Sequence, residues 1–268
     1  AGQWRYTDGS WLGASGAGAA APAEVPGAWP VRDPETGATR RQGFGTYALN
    51  VRLPAGESRK LALDTGYVYS AYRVLANGQH VVSGGTPAQS PGAEVAHAYG
   101  QIVPLQKQAD AVELRFEVSN HLAMQGGFFT APVVGHESDL IARRQMMIAL
   151  SCFLIGAMFF AAPYHLVVFA MARDRGEALW FGLFALLLGV RSLLIEPIAP
   201  FMLGVLGQDW LWRIDYAATL LLLPAAYRFL ALSFPRHLSL GLSPWLAAIG
   251  GLFACASLAA GPAAGEVA

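Results

Sequence analysis

The sequence predicts a protein of two parts, an antiparallel β-sandwich over residues 1–140 followed by an α-helical transmembrane bundle over residues 141–268. Two observations lead to this prediction. Short segments of alternating apolar and polar residues, separated by turns with Gly or Pro, recur between Gly45 and Gly135. From Met146 to Ala172 there is no Asp, Glu, Lys or Arg, and a helix needs about 20 apolar residues to cross a membrane.

The predicted strands show the period of two that is typical of half-buried strands. The segment GTYALNVRLP (residues 45–54) places Tyr, Leu, Val and Leu on one face, and AVELRFEVSN (residues 111–120) alternates in the same way. The pair Asn77-Gly78 predicts a hairpin, because both central residues of a type I′ turn need positive φ. Further short strands are predicted within residues 60–66, 101–105 and 128–135. Many short strands at this spacing indicate a sandwich.

Four membrane helices are predicted at about residues 145–171, 177–196, 212–233 and 243–262. Tryptophans near several of their ends suit a membrane interface. Arginines are almost balanced between the two sides of the predicted membrane, so they give little information about orientation. Because the chain begins abruptly in a polar stretch, we expect that a leader has been removed and that the β half lies outside.

A series of motifs resembles one receptor family. In chain order these motifs are PGAW, GFGTYALNVRLP, SAYRVLANGQHVVSGG, ELRFEVSNHLAMQGGFF, GVRSLLIEP and WRIDYAATLLLLPAAYRFLALSFP. Together they resemble bacterial seven-transmembrane receptors with diverse intracellular signalling modules (DISM receptors), over nearly the whole chain. The resemblance implies a jelly-roll sandwich similar to sugar-binding domains of glycoside hydrolases, placed in the periplasm and anchored in the inner membrane.

The chain departs from this family in one respect. The family has seven helices and a cytoplasmic output domain, commonly a nucleotide cyclase, a diguanylate cyclase or a histidine kinase. Here four helices are predicted and no output domain follows them. The chain is therefore either a fragment of such a receptor or an isolated sensor.

The sequence favours a non-enzymatic chain that needs no cofactor and no metal. It has no Walker loop, HExxH, G-x-S-x-G or kinase signature. The histidines of the β half are scattered without ligand spacing, and the only cysteines, Cys152 and Cys255, lie in apolar runs. A formal net charge of zero gives no basic surface for nucleic acid.

The β half offers several residues suited to binding a carbohydrate or a cell-wall fragment, since sugars contact aromatic faces and planar polar groups. The candidates are Trp11, Tyr67, Tyr69, Tyr72, Arg73, Asn120, His121 and Gln125. In an extended strand Tyr67 and Tyr69 would point to the same face. Asn120 ends a predicted strand and His121 begins the loop after it, at one end of the sandwich, where binding residues are common. The alternative is that the tyrosines pack in the core and Asn120 satisfies loop backbone.

Ionisable residues near the ends of two predicted membrane helices suggest a coupling device. These residues are Arg191, Glu196, Arg213 and Asp215. Charges inside a bilayer are costly and usually face the helix bundle, so we expect an ion-pair cluster beneath the β domain that couples ligand binding to helix movement. The alternative is that the side chains reach the membrane interface separately.

These features predict a membrane signalling receptor that senses a ligand outside the inner membrane. Its expected partners are the ligand, the lipid bilayer and either a second copy or another protein. The rival interpretation is a membrane-anchored binding or assembly module without signalling output. A transporter subunit is disfavoured, because no paired broken helices and no internal repeat are visible.

Overall fold

The structure, a computed structural model, describes residues 3–11, 20–29, 37, 41–53, 59–106, 111–123, 125–195 and 206–260. The chain divides into two compact units, Ala1–Arg144 and Gln145–Ala268. The division falls inside the first long helix, which begins at Glu137. The first turns of this helix therefore belong to the β-rich unit.

Antiparallel β-sheets build the first unit. Its described strands are β1 (Trp4–Asp8), β2 (Ala21–Ala23), β3 (Gly27–Ala28), β4 (Gly43–Arg52), β5 (Leu61–Asp64), β6 (Val68–Tyr69), β7 (Ala71–Ala76), β8 (Gln79–Gly84), β9 (Ile102–Leu105), β10 (Ala111–Asn120), β11 (Gly127–Phe128) and β12 (Val133–His136). They form a six-stranded sheet in the order β2-β1-β4-β10-β7-β8 and two three-stranded sheets, β3-β11-β6 and β12-β5-β9. Every neighbouring pair in these sheets is antiparallel.

One apolar core is shared by the three sheets. Phe116 of the six-stranded sheet and Phe128 of β11 are both buried, with ring centroids 5.2 Å apart. Leu63 of β5 is fully buried in the same cluster. A core enclosed between facing sheets is sandwich-like, as the alternating pattern predicted.

Two local predictions are confirmed in detail. Asn77 and Gly78, with φ of 48° and 79°, connect the antiparallel strands β7 and β8, so the dipeptide forms the predicted tight turn. In β10 the four alternating apolar side chains are buried, as the period of two requires. They are Val112, Leu114, Phe116 and Val118.

The second unit is helical. Its helices within the described residues are α1 (Glu137–Met171, whose first turns precede Gln145), α2 (Gly176–Ile195), α3 (Gln208–Ser233) and α4 (Ser243–Ala260). All four are long and apolar enough to cross a membrane. Helix α1 begins at Glu137 rather than near residue 145, and α3 begins at Gln208 rather than at 212. The predicted boundaries marked only the apolar residues. Both helices begin earlier, in polar sequence, where acidic residues stabilise a helix N-terminus.

Glycines allow close contact between α1 and α2 in the second unit. A Cβ atom at Gly182 would lie 3.1 Å from the carbonyl oxygen of Ala162, and one at Gly189 would lie 3.2 Å from Cβ of Met158. The two glycines are two helical turns apart, so they lie on the same face of α2. Small residues at such positions let helix backbones approach closely. Helix α2 also packs against α3, and α3 packs against α4.

Candidate functional site

A cleft in the first unit brings together two of the predicted ligand-binding residues, Tyr69 and Gln125. Its volume is about 340 Å³, which lies within the usual range for small-molecule sites. Phe129, which follows β11, lines it as well. The rest of the lining is Pro26, Gly27, Ala28, Gly126, Gly127 and Phe128.

The cleft depends on glycines that bring its strands close together. Gly127 pairs with Ala28 on one side and with Tyr69 on the other. Its φ of 114° is in the region that favours glycine. A Cβ atom at Gly126 would lie 2.3 Å from Cε3 of Trp29, so only glycine lets this loop lie against the buried indole. The predicted loop therefore shapes the cleft mainly through its backbone.

An aromatic ledge of two half-buried tyrosines and one exposed phenylalanine borders the cleft. It consists of Tyr67, Tyr69 and Phe129, and the phenyl ring of Phe129 is the most accessible, with 67% of the residue exposed. The ring centroid of Tyr67 lies 5.2 Å from that of Tyr69 and 5.9 Å from that of Phe129. Aromatic faces of this kind can contact the C–H groups of a sugar, while the amide of the exposed Gln125 can donate and accept hydrogen bonds.

Tyr72 has a structural role in place of the predicted contact with a ligand. Its side chain is fully buried. Its hydroxyl donates to the carbonyl oxygen of Tyr99 at 3.0 Å and lies 3.0 Å from Oγ1 of Thr65. Burial raises the pKa of this phenol above its ordinary value. The alternation along β7 turns Tyr72 inward, which is the alternative considered from the sequence.

The prediction that Asn120 and His121 bind a ligand is corrected in the same way. Asn120 is fully buried; its amide donates to the carbonyl oxygens of Arg41 at 2.7 Å and Ala123 at 3.0 Å, and its Oδ1 accepts from the N–H of Ala123 at 2.9 Å. His121 is 8% exposed, and its Nε2 lies 3.1 Å from the carbonyl oxygen of Ala88. Both side chains satisfy loop backbone and are not open to the cleft.

A buried carboxylate that sequence reasoning missed lies beside these residues. Glu94 is 8% exposed and accepts hydrogen bonds from the hydroxyls of Ser70 and Ser119 and, at 3.2 Å, from the N–H of His121. These bonds fasten the connection between β8 and β9 to the end of β10. Among the described residues no three His, Cys, Asp or Glu side chains are grouped so that they could hold a metal ion.

Trp11 and Arg73 form a separate cluster that does not line the cleft. The guanidinium carbon of Arg73 lies 5.3 Å from the Trp11 ring centroid. Nε of Arg73 donates to Oε2 of Glu117 at 2.6 Å, and Glu117 is 3% exposed. Arg73 and Glu117 are direct partners in the β7–β10 register, so the pair could be found from sequence only once that register was known.

In the second unit the predicted ionic cluster is divided into two separate contacts. Nε of Arg191 on α2 lies 3.7 Å from Oδ1 of Asp215 on α3. The same nitrogen donates to Oγ1 of Thr219 at 2.7 Å, and that hydroxyl donates to the backbone carbonyl of Asp215 at 2.8 Å. The structure therefore contains one part of the predicted cluster, a contact between the oppositely charged side chains of Arg191 and Asp215 on neighbouring helices. Glu196 lies outside the described residues.

Arg213 has other partners than those predicted. It donates to Oδ2 of Asp209, one helical turn earlier, at 2.8 Å, and to the carbonyl oxygens of Leu258 and Ala259 at 3.0 Å and 3.2 Å. The two carbonyls belong to the last turn of α4, where backbone acceptors lack helical donors and the helix dipole favours a cation. Arg213 therefore stabilises the end of α4 and is not part of the Arg191–Asp215 contact.

No protein-family model matches the sequence, and no curated protein matches it with significant similarity. Among solved structures the chain is similar to a β-glucuronidase from Ruminococcus gnavus, with 15% identity and a TM-score of 0.39, over 50% of this chain and 26% of that one. It is also similar to a GH2 β-galacturonidase from Eisenbergiella tayi bound to galacturonate, with 20% identity and a TM-score of 0.36, over 49% and 23%. The chain thus spans about a quarter of the length of these enzymes.

Proposed function

We propose that this chain is the sensing part of a bacterial membrane receptor. In this proposal the sandwich binds a carbohydrate or cell-wall fragment, and the helices transmit the binding event to an output domain outside this chain. The observation that carries the proposal is the cleft in which Tyr69, Gln125 and the exposed Phe129 meet. An accessible aromatic ring beside a planar amide is the combination that sugar recognition requires.

The receptor part of the proposal rests on two supports. The motif order resembles that of the DISM receptors, and with it come the jelly-roll topology, the periplasmic position of the sandwich and the inner-membrane anchor. The helical unit supplies four segments able to cross a membrane and an ionic contact between two of them, Arg191 with Asp215. Signalling needs two bundle arrangements with different ligand affinities, and a polar contact between helices is a device that can differ between them.

The proposal is tested by titrating the full chain, in lipid nanodiscs, with neutral and acidic sugars and cell-wall fragments. A ligand that binds only the folded state at 100 times its Kd stabilises that state by about 2.7 kcal/mol, which raises the melting temperature. Phe129→Ala and Gln125→Ala should abolish the shift. The matched controls are Val95→Ala, at a site 60% exposed, and Gln79→Ala, at an exposed strand position outside the cleft.

The outcomes separate the candidate functions. A saturable shift that is lost only in the two cleft variants supports sugar sensing at this site. A shift that both cleft variants retain would locate the site elsewhere on the sandwich. If no member of the panel binds, the rival function, a membrane-anchored assembly module for a protein partner, becomes the better interpretation.

A further inference from the structure

A second cavity, in the helical unit, lies at the end of the bundle where α1 and α2 are joined. Its volume is about 330 Å³. It is lined by Tyr164, His165, Val168, Arg175, Glu177, Ala178, Phe181 and Phe229. These residues come from α1, α2, α3 and the short connection between α1 and α2, so the cavity is a crevice between three helices.

The inner wall of this cavity is aromatic. The ring centroids of His165 and Phe181 are 4.4 Å apart, and those of Phe181 and Phe229 are 5.2 Å apart. These contacts join α1 to α2 and α2 to α3. The wall is therefore held by packing from three sides and offers a fixed apolar surface.

The rim of the cavity carries two opposite charges, Arg175 and Glu177, whose side chains have no partner among the described residues. Neither Arg175 nor Glu177 makes a side-chain hydrogen bond or ion pair with another described residue, although both line the same cavity. Glu177 also lies in the first turn of α2, a helix of 20 residues. The N–H groups of Gly176 and Ala178 donate to the carbonyl oxygens of Asp174 and Arg175, and the partial positive charge of the helix N-terminus favours a phosphate beside them.

The cavity lies at the level where the apolar face of α1 ends. Val167 is 56% exposed and Met171 is 84% exposed. The charged residues Arg173, Asp174 and Arg175 follow within four positions and are all exposed. For a helix that crosses a membrane, this change from exposed apolar to exposed charged residues marks the headgroup region.

We infer that this cavity binds a phospholipid whose headgroup carries a primary ammonium as well as its phosphate, such as phosphatidylethanolamine. The guanidinium of Arg175 and the N-terminus of α2 bind the phosphate. The carboxylate of Glu177 accepts hydrogen bonds from the ammonium. The ring surfaces of Phe181 and Phe229 contact the glycerol and the first methylenes of the acyl chains. The site is independent of the proposed sugar cleft.

The test is native mass spectrometry of the delipidated full chain in mild detergent. The probe is an equimolar mixture of dioleoyl phosphatidylethanolamine, phosphatidylglycerol and phosphatidylcholine, which share the phosphate but differ in the ammonium. We expect phosphatidylethanolamine adducts to predominate. Arg175→Met should reduce them about tenfold or more, the effect of losing one charge-assisted contact. Glu177→Gln should remove the preference over phosphatidylglycerol.

The chain provides a matched control for each variant. Arg173→Met removes the same charge from a cation stacked 5.1 Å from the Phe169 ring, and Asp174→Asn neutralises a neighbouring exposed carboxylate. Both should leave the adducts unchanged. Equal losses in Arg173→Met and Arg175→Met would overturn the inference, because they would indicate a general attraction to negative lipid.

Two further results would also overturn it. The first is an equal abundance of adducts of all three lipids on the unmodified chain, a result that needs no variant and so stands even if Arg175→Met fails to fold. Full competition by free glycerophosphoethanolamine, at the concentration of the lipid, would show that the acyl chains contribute nothing and that the ligand is not a membrane lipid.

Discussion

The buried hydroxyl of Tyr47 gives the most direct prediction about stability. Tyr47 is 0% exposed, and its hydroxyl has no hydrogen-bond partner within the described part of the chain. Burial raises the pKa of this phenol above its ordinary value. A hydroxyl buried without a partner costs about 1–3 kcal/mol. Tyr47→Phe removes this cost and keeps the ring that contacts Tyr6 at 4.7 Å and Phe128 at 5.0 Å.

We therefore expect Tyr47→Phe to stabilise the first unit by about 1 kcal/mol, after allowance for the small void that it leaves. The matched control is Tyr72→Phe, the same chemical change in the same core. The hydroxyl of Tyr72 bonds to the carbonyl of Tyr99 and to Thr65. Removing it takes one buried hydrogen bond from each of these two groups, so this variant should lose about 1–2 kcal/mol.

Hydrogen exchange of the full chain in detergent, read by mass spectrometry, measures both effects. The reporter peptides come from β10, which pairs with β4 and with β7 and so contacts both strands that carry the tyrosines. Where reclosing is faster than chemical exchange, the opening equilibrium sets the exchange rate, and 1.4 kcal/mol corresponds to a factor of ten in that rate. Tyr47→Phe should slow exchange about fivefold and Tyr72→Phe should accelerate it about tenfold. Acceleration by both variants would refute the reasoning.

Three further predictions concern charged groups. Arg73→Met should destabilise the first unit by about 3 kcal/mol in the same exchange assay, because Glu117 stays buried without its cation; an unchanged rate would contradict this. Burial lowers the pKa of His97, so the folded state resists protonation; stability should be constant above about pH 6.5 and fall below it, and His97→Asn should flatten this part of the pH profile. Arg191→Asp and Asp215→Arg should each lower the melting temperature in detergent, and their combination should restore part of it if the pair is direct.

Sequence periodicity located the elements whose pattern is long enough to be unambiguous. The residues of β10 alternate between apolar and polar from Val112 to Ser119, and the dipeptide Asn77-Gly78 specifies one turn type. Periodicity could not show that Tyr69 lines the cleft while Tyr72 is buried. Strand β6 has only two residues, and alternation separates the two faces of a strand without indicating which face contacts solvent. The exposed Phe129 was missed for the same reason, since it follows the equally short β11.

The buried carboxylate of Glu94 shows a different limit. Its partners Ser70 and Ser119 are 24 and 25 residues away on opposite sides in the sequence. No local pattern marks a glutamate that will be buried, and charged residues are rarely buried without partners. Only the register of β10 and the path of the β8–β9 connection bring these three side chains together. Arg213 is similar, because its carbonyl partners in α4 follow it by about 45 residues.

Within the first unit, the aromatic ledge is connected by direct contacts to the beginning of α1. Tyr67 lies 5.4 Å from Tyr99, ring centroid to centroid, and each is adjacent in sequence to a glycine, Gly66 and Gly100. The N–H of Gly66 donates to Oδ1 of Asp64 at 3.1 Å. Arg144 on α1 donates to the same Oδ1 at 2.8 Å and to the carbonyl of Gly100 at 2.8 Å.

This connection defines what the proposed receptor needs in order to signal. A coupling route requires an element with two discrete arrangements that the ligand distinguishes, and proximity alone does not supply it. The Asp64–Arg144 ion pair, in which both side chains are 26% exposed, joins β5 to α1 and would have to change its arrangement for the proposed receptor to use this route. A ligand that displaced Tyr99 would also displace the neighbouring Gly100, whose carbonyl oxygen accepts from Arg144. The beginning of α1 follows β12 without a linker. It is therefore the first helical segment that binding at the ledge would affect.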